Sequence, residues 1–84
     1  MAEFDEKLVT HFPVAGNDTD VSVHYDGEYA GCVKKVEGSA HYECAVSMER
    51  DGEKILQACD RADSIEQGAL AVGQQWWLQH RQSE

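Results

Sequence analysis

Two Asp-Gly pairs, Asp26-Gly27 and Asp51-Gly52, constrain the fold of this chain more than any other feature. Each pair stands between two runs in which apolar and polar residues alternate. A two-residue hairpin loop of type I′ needs positive φ angles at both central positions, and Asp-Gly is well suited to this geometry. The sequence therefore predicts two successive β-hairpins.

The strands of these hairpins follow from the period-two alternation of apolar residues. We expect the first hairpin to join a strand over 21–25 to a second arm over 28–36. The second hairpin joins a strand over 40–49 to a return strand over 53–59. These four segments predict a four-stranded antiparallel meander.

The C-terminal segment has the spacing of an amphipathic helix. Its apolar stripe is formed by Ile65, Ala69, Val72 and Trp76. Two residue pairs could form the capping box at its N-terminus, Asp63 with Glu66 or Ser64 with Gln67. Gly73 lies beside the stripe, where it would let the helix backbone approach the sheet closely.

Residues 3–12 fit two structures. The spacing of four between Phe4, Leu8 and Phe12 fits one face of a short helix, which we favour because acidic residues occupy its first turn. An edge strand over 8–14, ending at Pro13, is the alternative. The 84 residues are expected to form a single α+β domain. In it, a four-stranded antiparallel meander packs against a C-terminal helix, preceded by a short N-terminal helix.

The charge is strongly acidic, with 16 Asp and Glu residues against 7 Lys and Arg and a formal net charge of −9. Such a surface repels nucleic-acid phosphates and anionic lipid, so we expect direct contact with neither. No apolar run approaches the roughly 20 residues of a membrane span. The three cysteines are too few for a disulfide-stapled secreted domain. We therefore expect a cytoplasmic protein.

No catalytic or metal-binding motif is legible among the four His and three Cys residues. His41 and Cys44 are three positions apart on a predicted strand, so their side chains point to opposite faces and cannot chelate one ion. Cys44 would lie opposite Cys59 in the second hairpin, where two buried free thiols are the favoured state and a cross-strand disulfide is the alternative. We expect no enzymatic activity and no cofactor.

A binding surface is the remaining interpretation. The candidate partner-binding residues are Asp26, Glu28, Glu43, Glu49, Asp51, Glu53 and, as an apolar anchor, Trp77. They would complement a basic surface on another protein. A polar outer sheet face would accompany them, formed by Ser22, His24, Tyr29, His41, Glu43, Ser47 and Glu49. Trp77 has two alternative roles: covering the rim of a small core, or forming a homodimer interface with an edge strand.

In its length, acidity and layout of a meander with one helix, the chain resembles phage-encoded anti-CRISPR inhibitors. That group shares no diagnostic motif, so the resemblance transfers no residue roles. It implies a protein that acts in a bacterial host cell, docks on a Cas protein or effector complex, and blocks access of DNA or the nuclease.

The chain is also similar to the N-terminal domain of HicB-like antitoxins. The segments that carry this similarity are Asp26-Gly27-Glu28-Tyr29, Gly31-Cys32-Val33 and the helix opening over 63–70. An additional hairpin over 40–59 separates the second segment from the third. This resemblance implies neutralisation of a toxin.

Overall fold

A computed structural model describes residues 3–14, 16 and 20–82, which form one antiparallel sheet and a C-terminal helix. The elements in chain order are a 3-10 turn (Glu6–Leu8), β1 (Val9–Pro13), β2 (Asp20–Tyr25), β3 (Glu28–Lys35), β4 (Tyr42–Arg50), β5 (Glu53–Ala62) and α1 (Ile65–Gln82). The sheet order is β1-β2-β3-β4-β5, so each strand pairs with its successor. The α+β class and the meander are confirmed, with five strands where four were predicted.

Both Asp-Gly pairs form the turns that the sequence predicts. The φ angles are 52° at Asp26 and 83° at Gly27, and 54° at Asp51 and 82° at Gly52. Two consecutive positive φ angles are the signature of a type I′ turn, whose twist matches that of the flanking strands. The two turns therefore determine the register of both hairpins.

The N-terminal segment contains both predicted features in shorter form: a single 3-10 turn over Glu6–Leu8 replaces the expected helix, and the alternative edge strand follows from Val9 to Pro13. Asp5 accepts a hydrogen bond from the backbone N–H of Lys7 (3.0 Å) at the start of the 3-10 turn, after which β1 pairs with β2 from Val9 to Pro13. Pairing with β2 gives the backbone N–H and C=O groups of β1 hydrogen-bond partners, many of which a short isolated helix would leave unpaired. Pro13 is tolerated because it ends an edge strand.

The boundaries of the second hairpin differ from the prediction. Residues 40 and 41 precede β4, and β5 extends to Ala62 instead of ending near Cys59. The register shifts between the pairs Tyr42↔Ala62 and Cys44↔Cys59, so β5 carries one extra residue there. A β-bulge of this kind lets a strand continue past a break in regular pairing, which simple alternation does not reveal.

The core lies between α1 and one face of the sheet. Its largest fully buried side chains are Val23, Val33 and Val72, and Trp76 is also buried in it. Gly73 allows the close approach that was predicted, because a Cβ there would stand 2.7 Å from Cγ2 of Val9. Of the two predicted capping pairs, Ser64 with Gln67 is the one present: the backbone N–H of Gln67 donates to Oγ of Ser64 (3.1 Å).

Candidate protein-binding surface

Five of the six predicted carboxylates lie at one end of the sheet. In an antiparallel meander the β2–β3 and β4–β5 turns fall at the same end, and both are Asp-Gly turns. We call this end the acidic edge, formed by Asp26, Glu28, Glu49, Asp51 and Glu53, all of them exposed. Within the same two hairpin ends, only Arg50 and Lys54 carry positive charge. The acidic edge therefore has a local excess of negative charge.

Glu43 does not join this group. It lies at the opposite end of β4, where it pairs across the strands with Lys34. Arg61 lines the same surface depression as Lys34 and Glu43. Two cationic residues thus stand near this carboxylate, and its charge adds little to a surface that binds cations.

Trp77 is half-buried and packs at the rim of the core. Its ring meets that of Phe4 edge-on, with centroids 6.0 Å apart, and Phe4 in turn stacks on Tyr25 at 5.6 Å. The contact between the Trp77 and Phe4 rings therefore packs the segment before β1 against α1. Part of the ring remains exposed, so its role as an interface anchor stays a prediction.

A cleft separates the tips of the two hairpins. The pairing of β3 with β4 runs from Lys35↔Tyr42 to Gly31↔Val46 and stops there, although β3 begins at Glu28 and β4 continues to Arg50. The register of β3 against β2 shifts at the same level, between Val23 and His24. This bulge turns the tip of the first hairpin away from the second. Apolar alternation does not reveal this bulge, so the cleft was not predicted.

We call this space, of about 390 Å³, the hairpin cleft. It is lined by Glu28, Tyr29, Ser47, Met48, Glu49, Lys54, Trp76 and His80. The Trp76 and His80 rings stack with centroids 3.9 Å apart, and Nδ1 of His80 lies 2.9 Å from the carbonyl oxygen of Trp76. The pKa of Tyr29 is raised above its ordinary value of 10.0, mainly by burial and to a smaller extent by the neighbouring Cys32, so its hydroxyl stays neutral at physiological pH.

The sheet face that α1 leaves open is less polar than predicted. Ser22, His24, Tyr29, Glu43, Ser47 and Glu49 lie on it as expected, whereas His41 precedes β4 and is not part of the sheet. Alternation also brings several apolar side chains to this face, namely Phe12, Cys32, Ala45, Leu56 and Ala58. An aromatic row crosses β1, β2 and β3, with His24 5.5 Å from Phe12 and 5.8 Å from Tyr29 between ring centroids.

Cys44 and Cys59 face each other across β4 and β5, as predicted, and both thiols are free. Burial, reinforced by the neighbouring Cys59, raises the pKa of Cys44 to about 11. Burial also raises the pKa of Cys59. Thiols with raised pKa values are poor nucleophiles at neutral pH, so this pair acts in packing.

No family model, curated protein or solved structure matches the chain. The anti-CRISPR and HicB resemblances therefore remain predictions. Across residues 3–14, 16 and 20–82, no three His, Cys, Asp or Glu side chains are grouped so that they could hold a metal ion. Over the same ranges, no helix combines the length and the apolar character needed to cross a membrane.

Proposed function

We propose that this domain is a non-enzymatic inhibitor that binds another protein through its acidic edge. The observation that carries the proposal is the convergence of five carboxylates, from two separate hairpins, on one end of the sheet. The matching surface on the partner is basic. Such surfaces belong to proteins that handle nucleic acids, and their basic grooves attract phosphates by the same electrostatics.

The shape of the acidic edge supports docking into a groove. Two tight turns project side by side from a rigid sheet, and their carboxylates are exposed. Charges on rigid elements need little ordering when they bind, which lowers the entropic cost of association. A domain seated in this way would compete with nucleic acid for the groove. A Cas protein or effector complex is the first partner to test.

The experiment is a tagged pull-down from a bacterial lysate that contains active CRISPR effectors, with mass spectrometry as the readout. Glu49→Lys/Glu53→Lys reverses two charges of the acidic edge, and Glu43→Lys reverses one at the far end of β4. We expect an effector subunit in stoichiometric amount with wild type and Glu43→Lys, and its loss with the double variant. Equal recovery with all three proteins would rule out the acidic edge as the docking surface. Recovery of a toxin in place of an effector would support the HicB-like alternative.

A structural homo-oligomer is the second candidate, and the open sheet face is the observation that favours it. Phe12, Tyr29 and Leu56 are 53%, 45% and 54% exposed on that face. Clustered apolar exposure of this kind marks many protein interfaces. Sedimentation over a wide range of protein concentration tests this candidate, since a monomer at every concentration would eliminate it.

A further inference from the structure

We propose that the hairpin cleft receives one arginine side chain of the partner protein. This inference rests on the proposed function and adds to it the chemistry of the central contact. Its basis is a half-open cleft, in which the walls come from different hairpins and the helix lines one side. The acidic edge supplies the long-range attraction, and the hairpin cleft supplies the specific contact.

The shape of the hairpin cleft follows from the sheet. Because β3 and β4 stop pairing at Gly31↔Val46, the segments 28–30 and 47–50 flank a gap between the hairpins. Gly31 lets β3, β4 and α1 approach one another closely at the base of the hairpin cleft. A Cβ at this position would overlap the carbonyl oxygen of Ala45 and contact the Val72 side chain. The strands are thus fixed together below the gap and separate above it. A long, narrow side chain fits such a space better than a bulky one.

The charges on the walls select a cation. Glu28 comes from the first hairpin and Glu49 from the second, so each wall presents a carboxylate that can accept hydrogen bonds from a guanidinium group. Hydrogen bonds between a guanidinium and carboxylates are shorter and stronger than those between neutral groups. Among the residues that the structure describes, neither glutamate takes part in a salt bridge within the chain.

The rings select arginine over lysine. Tyr29 and Trp76 both line the hairpin cleft, but Trp76 is 8% exposed and its ring already contacts those of Tyr25 and His80. Tyr29 is 45% exposed, so it supplies the ring on which a cation can stack. A planar guanidinium can stack on an aromatic face while its edge donates to carboxylates, which the compact and strongly hydrated ammonium of lysine does less well. Two carboxylates together with one exposed aromatic ring therefore favour arginine as the occupant.

Lys54 is the chain's own competitor for this site. It lines the hairpin cleft, and its register partner across β4 and β5 is Glu49. The residue is exposed, so its side chain can turn to solvent when another cation enters. If the hairpin cleft binds arginine, Lys54→Gln removes a repulsive charge and should tighten binding about twofold to fivefold, the scale of one partly screened charge pair.

The direct test is an NMR titration of the ¹⁵N-labelled domain with the blocked peptide acetyl-Gly-Arg-Gly-amide at low salt. The matched probe replaces arginine with citrulline, which keeps the planar shape and removes the charge. We expect saturable shifts at 28–30, 47–50 and the indole N–H of Trp76 with the arginine peptide alone. Equal shifts with both peptides, or shifts spread evenly over all the acidic residues, would overturn the arginine pocket.

A pair of variants separates this inference from the proposed function. Glu28→Gln/Glu49→Gln and Asp26→Asn/Glu53→Gln each remove two negative charges from the acidic edge, but only the first pair lines the hairpin cleft. We expect the first pair to weaken peptide binding at least about fivefold and the second less than about twofold. Equal losses would refute the pocket and leave general attraction by the acidic edge intact. Unchanged binding in both variants would contradict both ideas.

Discussion

Glu28 and Glu49 line one cleft although they belong to different hairpins. The relationship depends on two local features, a type I′ turn in each hairpin and a bulge that ends the pairing of β3 with β4. The turns bring the carboxylates to one end of the sheet, and the bulge opens the space between them. The proposed binding site is thus a consequence of sheet geometry.

Substitution of Gly31 tests the junction at the base of the hairpin cleft. Gly31→Ala would place a Cβ against the carbonyl oxygen of Ala45 and 2.6 Å from the Val72 side chain. Neither neighbour can move without disturbing the core, so we expect a loss of at least about 2–3 kcal/mol in the free energy of unfolding, or failure to fold. Gly38→Ala is the control, because a Cβ there meets nothing within 4 Å and only its φ of 78° opposes alanine. Urea denaturation of both variants provides the measurement, and equal losses would contradict the close approach.

Alanine substitutions distinguish the two capping pairs of α1. Ser64 accepts the N–H of Gln67, so Ser64→Ala should destabilise the domain by about 1 kcal/mol. Asp63 contributes its backbone N–H to Oε1 of Gln67, a bond that alanine preserves. Asp63→Ala should therefore change the unfolding free energy by less than about 0.5 kcal/mol. Thermal melts monitored by circular dichroism compare the two variants, and a larger effect at Asp63 would favour the other pair.

The sequence predicted the parts of this fold that local chemistry determines. The Asp26-Gly27 and Asp51-Gly52 pairs favour type I′ turns by their own conformational preferences. The apolar stripe that ends at Trp76 was sufficient to predict α1. The N-terminal helix was predicted too long because Phe4, Leu8 and Phe12 fit a helical spacing, which does not show that residues 9–13 pair with β2. Glu43 lies on the open sheet face as expected, and its separation from the other five acids, beside Lys34 and Arg61, depends on strand register. The hairpin cleft depends on a bulge, which apolar alternation does not encode.

The stability of the domain should fall in alkaline solution because of Cys44. Its pKa rises from an ordinary 9.0 to about 11 in the fold, so folding favours the protonated thiol. This contribution is complete below pH 9 and is lost as the pH rises towards 11, and a shift of this size corresponds to roughly 2–3 kcal/mol. Urea denaturation at pH 7, 9 and 10.5 measures the trend under reducing conditions. Cys44→Ala should show a shallower decline, and an identical slope would assign the loss to other groups.

Removal of the Trp77 ring tests whether it covers the core rim. Trp77→Ala leaves Phe4 without its edge contact, so we expect a loss of about 2–3 kcal/mol in unfolding free energy. Leu70→Ala, at a 38% exposed position of the same helix, should lose less than about 1 kcal/mol. Denaturant melts of the two variants give the comparison. A negligible effect at Trp77 would mean that the ring is available as an interface anchor.

If the acidic edge drives association with a basic partner, the rate of association should depend on the charges of that edge. The measurement is stopped-flow mixing with a purified Cas effector complex at several salt concentrations, using wild type, Glu49→Lys/Glu53→Lys and Glu43→Lys. Electrostatic steering predicts that the double variant associates at least about tenfold more slowly and loses most of the salt dependence, while Glu43→Lys stays close to wild type. Rates and salt dependence that are the same for all three proteins would contradict the claim.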